Sequence, residues 1–271
     1  VSESWLNKIS TNKLRGQMLS AYIFVTYAGL FGGQFLINLA PIETISLFIL
    51  ISVLLSLSLL PITLANKPSP GIEEIEHLPL KKLIKTSPTA VFSVIISGFA
   101  GAAMMTIGPI YAQNLGFNLP NIALFMGLYV LGCALLPLLT GWLSDRIERR
   151  KVVTAIATTG ALTAFWGYTN PDHIMIVAFI FGGCSLSVYS ISIAMMSDRI
   201  KPSQMTSASA SMIFLNGAGA CIAPIFVGTL IQLFNNDLFF LSFAIAFAAL
   251  SLYGIYRMST GPEFTVEDQG D

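Results

Sequence analysis

Eight long apolar segments dominate this sequence of 271 residues and restrict it to one class of structure. None contains Lys, Arg, Asp or Glu away from its ends. Crossing a bilayer core of about 30 Å as an α-helix takes roughly 20 residues, which each segment supplies. Strands of a membrane barrel would be about half as long, with apolar and polar residues alternating. The predicted fold class is therefore all-α, a polytopic membrane protein with eight transmembrane helices. The segments cover residues 17–39, 44–64, 89–113, 121–141, 151–169, 173–195, 207–233 and 237–257.

Composition argues against several other classes of protein. The chain is 54% hydrophobic and 10% charged, whereas soluble domains carry about 25% charged residues. A formal net charge of zero gives no support for a nucleic-acid partner. The three cysteines lack CxxC spacing, and the sequence holds no HExxH, GxSxG or clustered Asp and His motif. We therefore predict no enzyme activity, no metal site and no cofactor.

The lysines and arginines predict the orientation of the helices. If the segments alternate in direction, one side of the membrane receives all 14 basic residues and the other side receives none. Positive charges stay on the cytoplasmic side during insertion, so both termini are expected in the cytoplasm. The basic side consists of residues 1–16, 65–88, 142–150, 196–206 and 258–271, with the adjoining helix ends.

One connection is longer than the others and divides the chain unequally. Residues 65–88 combine Pro, Gly and mixed charges, as linkers do. Leu80, Leu83 and Ile84 have helical spacing, so a short surface helix and a solvated loop are both compatible with this stretch. The predicted parts are two helices in 1–64, a cytoplasmic linker in 65–88, a six-helix bundle in 89–257 and a cytoplasmic tail in 258–271.

The loop between the fourth and fifth segments carries a motif. Residues 141–151 read Gly-Trp-Leu-Ser-Asp-Arg-Ile-Glu-Arg-Arg-Lys. This stretch, the signature loop below, resembles the G-x-L-x-D-R-x-G-R-R-x loop of the major facilitator superfamily (MFS), although Glu148 replaces the usual Gly. In that family the loop joins helices two and three and is repeated between helices eight and nine. The resemblance implies the MFS fold, with six helices on each side of a cytoplasmic linker.

Further stretches are similar to the YcaD-like branch of that family. By this resemblance the chain corresponds to helices 5 to 12, and about the first four are expected to be missing. The resemblance also implies a multi-pass protein of the bacterial cytoplasmic (inner) membrane that acts as a monomer. The similar stretches are Glu3-Ser-Trp5-Leu-Asn7, Arg15-Gly16, Gly32-Gly33-Gln34, Gly127-Leu-Tyr129 and Tyr189 to Met205.

In the family, the signature loop belongs to a network that latches the cytoplasmic side and breaks during transport. From the residues alone, Gly141 would let a helix end pack closely, and Asp145 would accept hydrogen bonds from arginines or helix amides. A plain positively charged loop is the alternative. The residues expected in the latch are Gly141, Asp145, Arg146, Arg149 and Arg150.

The resemblance also implies a substrate cavity near the bilayer midplane, lined by helices 5, 7, 8, 10 and 11. Polar residues at that depth are the candidates, although each could instead join two helices by a hydrogen bond. No segment holds a deep charge, so a multiply charged substrate or a coupling proton would need a group elsewhere. The candidates are Tyr27, Thr106, Tyr129, Ser185, Tyr189 and Asn216.

The seventh segment combines small residues with a proline. Gly217 and Gly219 would allow close approach of a neighbouring helix, and Pro224 offers a kink. A gating bend and ordinary bundle packing are both compatible with this pattern.

Together these features predict a secondary transporter that moves a small solute by alternating access. Import and export both stay open, and protons are one option for the coupling ion. The expected partners are a small-molecule substrate and the lipid bilayer. The alternative is a transporter-like membrane sensor that binds a ligand without moving it.

Overall fold

The computed structural model describes residues 15–41, 44–64 and 78–260. Side chains are described for 24–41, 44–60 and 78–260, except that of Pro202. Every regular element within these ranges is helical. Glu3, Trp5 and Asn7, residues 65–77 of the predicted linker and residues 261–271 of the predicted tail lie outside the described residues.

The helices follow the apolar segments closely. Each predicted segment corresponds to one helix, and short 3₁₀ turns precede α7 and α8. Residues Leu80–Thr86 form a helix as well, so the short-helix alternative for this part of the linker is the one observed. The helices are α1 (Arg15–Leu36), α2 (Ser46–Leu64), α3 (Leu80–Thr86), α4 (Pro88–Asn114), α5 (Leu119–Ser144), α6 (Arg149–Thr169), α7 (Ile174–Ser197), α8 (Met205–Leu233) and α9 (Leu238–Thr260).

Five helices in the described part of the chain are long and apolar enough to cross a membrane: α4, α5, α7 with its preceding turn, α8 and α9. This confirms an all-α polytopic membrane fold. The other three predicted crossings do not meet the same criterion of length and composition. The described apolar stretch of α2, Ser46–Leu60, is shorter, and the side chains of α1 are described only from residue 24. Helix α6 is less apolar than the five, because it contains five threonines. Eight crossings therefore remain a prediction.

Helix α6 is nevertheless suited to a crossing. Its 21 residues give a length of about 32 Å at 1.5 Å per residue, close to the thickness of a bilayer core. Four of its five threonine hydroxyls do not need water, because they donate to carbonyls of the same helix. Thr154 donates to the Arg150 carbonyl and Thr158 to the Thr154 carbonyl, each at 2.8 Å. Such back-bonding satisfies polar groups inside a membrane.

Glycines allow three helix pairs to pack closely. In the pair α4–α8, a Cβ added at Gly98 would overlap the Asn216 carbonyl, and one added at Gly219 would overlap the Ile95 carbonyl. Backbones can approach this closely only where no side chain intervenes. The same holds for Gly132 and Gly182 in the pair α5–α7. In the pair α6–α9, Gly160 leaves room for the Phe247 ring and Gly254 leaves room for the Thr154 side chain.

Aromatic side chains fill the interior between α4, α7 and α9. The rings of Phe181 and Phe243 stack with centroids 4.9 Å apart, and those of Tyr111 and Phe239 stack at 4.5 Å. All four side chains are almost completely buried. This cluster makes α9 part of the packed core of the bundle.

One end of the bundle, called the basic end below, collects positive charge from several helices. Arg149 at the start of α6 pairs with Asp198 after α7, and Arg199 donates to Ser87 before α4. Leu78 donates its backbone N–H to Ser207 in the first turn of α8. These contacts bring the starts of α4, α6 and α8 and the ends of α5, α7 and α9 to the same end. Helices α4 to α9 therefore alternate in direction, as the basic residues predict. The direction of α2 and the side of the membrane on which the basic end lies stay predictions.

Candidate functional site

A small polar pocket lies near the middle of α4, α5, α7 and α8. Its volume is about 250 Å³. Hydroxyl and amide side chains line it: Ser97, Tyr129, Ser185, Tyr189 and Asn216. Four of the six predicted cavity residues thus meet in one place, and Ser97 is an addition that the sequence did not single out. Ser97 has no unusual neighbours in sequence, so only the packing of α4 on α7 identifies it.

Several polar groups of this pocket also join the helices around it. The Ser97 hydroxyl donates to the Ser185 carbonyl at 2.8 Å, which ties α4 to α7. The Asn216 side-chain amide donates to the Val94 carbonyl at 3.1 Å, which ties α8 to α4. Tyr129 is 3% exposed, and its hydroxyl interacts with the side chains of Ser185 and Cys133. The same side chains therefore line the pocket and join neighbouring helices, so the two interpretations do not exclude each other.

A larger cleft opens between α1, α5 and α7 beside the polar pocket. Its volume is about 550 Å³. Cys133, Leu186 and Tyr189 line both the cleft and the pocket, so the two spaces adjoin. The cleft extends along α5 to Gly141, Ser144 and Asp145 at the basic end, where Arg149 forms part of its rim. This arrangement provides a route from the middle of the helices to one end of the bundle.

Helix α1 contributes the third wall of the cleft. Thr26, Tyr27 and Leu30 face it, and Tyr27 also borders an apolar groove of about 470 Å³ between α1 and α5. Phe31 and Phe35 pack against Gly127, where an added Cβ would lie 3.2 Å from the Phe35 ring. The sequence similarity around Gly127 thus falls where α1 rests on α5.

Ion pairs at the basic end join three chain segments through Arg149. Its Nε lies 2.7 Å from a carboxylate oxygen of Asp198, and its Nη2 lies 3.3 Å from one of Asp145. Asp145 follows the last residue of α5, and Asp198 follows the last residue of α7. One guanidinium therefore links the ends of α5 and α7 to the start of α6. Its planar fork suits this double contact.

The five predicted latch residues do not form one cluster. The Arg146 guanidinium lies over the Trp142 ring, 3.6 Å from its centroid, and Arg150 is buried beside α9. Gly141 faces the cleft, and an added Cβ would meet no atom within 4 Å. Within the described part of the chain, the close packing expected of Gly141 is therefore absent, because no described helix approaches that side of α5. Only Asp145 and Arg149 meet.

Comparison with known proteins identifies the family. The model of the Major Facilitator Superfamily matches residues 90–268, which is more than half of the chain. The chain belongs to this superfamily. It is also similar to the uncharacterized MFS-type transporter YcaD of Escherichia fergusonii, with 23% identity over 246 residues, 90% of this chain and 64% of that protein. The relative of the same name in Escherichia coli shows 23% identity over 249 residues, with the same coverage of both chains. This MFS chain thus spans about 64% of the length of the curated relatives that it matches.

Asp198 is a second residue of this MFS chain, after Ser97, that sequence reasoning missed. The sequence did carry a signal, since Ser-Asp-Arg occurs twice, at 144–146 and at 197–199. Both copies end a long apolar helix, and both aspartates are C-cap residues in the right-handed helical region. The repeat becomes meaningful only when Arg149 is seen to contact both carboxylates.

The remaining predicted residues lie apart from the polar pocket. The Thr106 side chain is exposed and donates to the Ala102 carbonyl of its own helix. Gly217 has no atom within 4 Å of an added Cβ, whereas Gly219 lies at the contact with α4. Pro224 lies inside α8, which continues as a helix from Met205 to Leu233. Of the three residues predicted for packing or gating, only Gly219 is at a close helix contact.

Proposed function

We propose that this chain belongs to a secondary active transporter that moves a small solute across the bacterial inner membrane by alternating access. The observation that carries the proposal is the cleft between α1, α5 and α7, which joins the polar pocket and reaches the basic end. A transporter needs a binding site near the midplane and a path from it to one surface. The superfamily and the membrane-spanning helices support a transporter rather than an enzyme.

The pocket favours a neutral or weakly charged solute. Its polar groups are hydroxyls and amides, and the described residues that line it include no Asp, Glu, Lys or Arg. Binding a multiply charged solute in such a place would leave its charge without a counter-charge. The apolar groove beside Tyr27 would accommodate a hydrophobic part of the same solute. The sensor alternative would use the same pocket, so transport itself has to be measured.

The parts of the chain take the following roles in this proposal. Residues 1–64 end one half of the transporter, 65–88 form a cytoplasmic linker, and 89–257 form the other half.

Both termini lie in the cytoplasm, the protein acts as a monomer, and protons are the first coupling ion to test. No carboxylate lines the pocket among the described residues, so a coupling proton would be carried by a group outside this pocket. Arg149 and its two aspartates form a latch that holds the helix ends while the cleft changes shape.

Flux through the full-length protein in proteoliposomes tests the proposal, with an imposed pH gradient and a screen of amino acids, sugars, organic acids and dyes. Tyr189→Phe removes one hydroxyl from the wall shared by the pocket and the cleft. A lost hydrogen bond to a solute is worth about 1 kcal/mol, so the substrate concentration for half-maximal flux should rise about fivefold. Tyr168→Phe, in α6 and outside both spaces, is the matched control and should leave flux unchanged.

The outcomes separate the alternatives. Gradient-dependent flux that Tyr189→Phe weakens and Tyr168→Phe does not would support a coupled transporter with this binding site. Ligands that raise the melting temperature without any flux would support a membrane sensor instead. Flux that is equally insensitive to both substitutions would contradict the assignment of the site.

A further inference from the structure

Two arginines on α6 and α9 meet at the basic end without taking part in the Arg149 ion pairs. Arg150 is the second residue of α6 and is 5% exposed. Arg257 lies in the last turn of α9 and is partly buried. The Arg150 Nη1 donates to the Arg257 backbone carbonyl at 3.2 Å. That carbonyl is among the last four of α9, which have no partner within the helix.

The charge of these side chains is not neutralised within the described part of the chain. The Nε atoms of Arg150 and Arg257 are both buried and without a hydrogen-bond partner there. The ion pairs formed by neighbouring residues use Arg149 with Asp145 and Asp198, and Lys151 with Glu148. A guanidinium does not lose its proton in proteins. A buried one without a counter-charge is therefore costly, and an anion would relieve this cost.

The surroundings raise the positive potential further. Arg149, Arg150 and Lys151 follow each other at the start of α6, which is the positive end of the helix dipole. The first turn of α6 contains no acidic residue. Arg149 and Lys151 are paired with carboxylates, so the charge left unpaired at this positive helix end is that of the buried Arg150 guanidinium. This combination calls for an anion from outside these residues.

The outer surface of α9 indicates what kind of molecule would bring that anion. Leu252, Ile255 and Tyr256 are 67%, 52% and 60% exposed just before Arg257. Such an apolar face suits the acyl chains of a lipid, and the apolar surface gives way to charge where a lipid headgroup would lie. Basic pockets between transmembrane helices on the cytoplasmic side bind anionic headgroups.

We infer that Arg150 and Arg257 form a binding site for the phosphate of an anionic phospholipid, such as phosphatidylglycerol. The phosphate supplies the counter-charge, and its oxygens accept hydrogen bonds from the terminal nitrogens of the two guanidinium groups, which favour this geometry. The acyl chains lie along the exposed side of α9. The site does not depend on the proposed transport function, because it lies outside the cleft and the polar pocket.

Native mass spectrometry of the full-length protein in detergent tests this site. We expect phosphatidylglycerol to bind at a concentration at least tenfold lower than phosphatidylcholine with the same acyl chains. Arg150→Gln combined with Arg257→Gln should remove this preference. Lys151→Gln removes one charge from the next position, at a side chain that is 64% exposed and paired with Glu148, and should retain the preference. An equal preference in all these variants would overturn the inference.

Two further experiments test the other possible anions, namely free phosphate and the carboxylates that follow α9. Inorganic phosphate that displaces phosphatidylglycerol at millimolar concentration would indicate a free-anion site and overturn the lipid assignment. The carboxylates of Glu263, Glu267 and Asp268 follow α9 in the sequence. If the unchanged protein showed no preference and Glu263→Gln, Glu267→Gln and Asp268→Asn together created one, the tail carboxylates would occupy the site in place of lipid, and the inference would be overturned.

The double substitution could prevent folding, so a single substitution provides a second test. In Arg257→Gln the backbone carbonyl that Arg150 contacts is retained, so the local fold should survive. We expect the preference for phosphatidylglycerol to fall at least threefold in this single variant. An unchanged preference in correctly folded Arg257→Gln protein would contradict the proposed site.

Discussion

Arg149 holds the ion pairs of the basic end together, and its partners are largely exposed. The side chains of Asp145 and Asp198 are 69% and 55% exposed, while that of Arg149 is 25% exposed. Exposed ion pairs contribute only about 0–1 kcal/mol to stability, because water screens them. Contacts this weak break easily. They suit a network that forms and separates in each transport cycle better than one that only stabilises the fold.

Asp198→Asn should therefore change conformation more than stability. We expect the free energy of unfolding to fall by less than about 1 kcal/mol. The ends of α6 and α7 would separate more readily, so alkylation of a cysteine introduced at Leu30 in the cleft should accelerate up to about fivefold. The measurement uses a background in which Cys133, Cys184 and Cys221 are replaced by alanine.

Asp172→Asn is the matched control for this prediction. Asp172 is exposed in the turn before α7, at the opposite end from Asp198. Its substitution should leave the alkylation rate unchanged. If Asp198→Asn left the rate unchanged too, Arg149 and Asp198 would be a structural pair and not part of a latch.

At the scale of the helices, α8 shows how one element presents different surfaces. Gly217 and Gly219 are two residues apart, which is about 200° around a helix of 3.6 residues per turn. They therefore point to nearly opposite sides. Gly219 rests on the backbone of α4, while Gly217 has open space beside it. The sequence pattern alone treats the two glycines as equivalent.

Alanine substitutions at these two glycines should have opposite effects. Gly219→Ala would drive a methyl group into the Ile95 carbonyl and should cost about 1–3 kcal/mol through overpacking. Gly217→Ala meets no atom and should be neutral or should stabilise the helix by up to about 1 kcal/mol. Thermal unfolding in detergent would check both changes. Equal destabilisation by the two substitutions would contradict the observed rotation of α8.

At the scale of the whole molecule, the cleft depends on three helices that are far apart in sequence. Helix α1 precedes the linker, whereas α5 and α7 follow it. Gly141 lies on the wall of the cleft with room for a side chain. A glycine at this position could serve close helix packing or could keep the cleft open. Substitutions at Gly141 can distinguish these two roles.

Gly141→Trp should fill the cleft mouth without disturbing the fold. We expect the free energy of unfolding to change by less than about 1 kcal/mol, because no atom lies within 4 Å of an added Cβ. Flux in proteoliposomes should nevertheless fall by at least tenfold, while Gly141→Ala should retain it. Normal flux through correctly folded Gly141→Trp protein would show that solute does not pass this way.

The sequence alone was sufficient to predict the helices and the alternating direction of α4 to α9. The length of an apolar run and the side on which basic residues fall are properties of the chain taken one segment at a time, and the bilayer acts on them directly. The signature loop pointed to the superfamily in the same way, because it is a local pattern. The eight predicted segments accordingly differ from the observed helices by no more than three residues at either end.

Tertiary structure decided which side chains meet. Thr106 and Ser97 are nine residues apart on α4, about half a turn around the helix, and only Ser97 faces the polar pocket. Arg149 and Arg150 are neighbours in sequence, yet one joins α6 to α5 and α7 while the other contacts α9. Such differences depend on the rotation of each helix and on contacts between distant segments. Their physical origin is the packing of whole helices, which a pattern of apolar and polar residues along one segment does not specify.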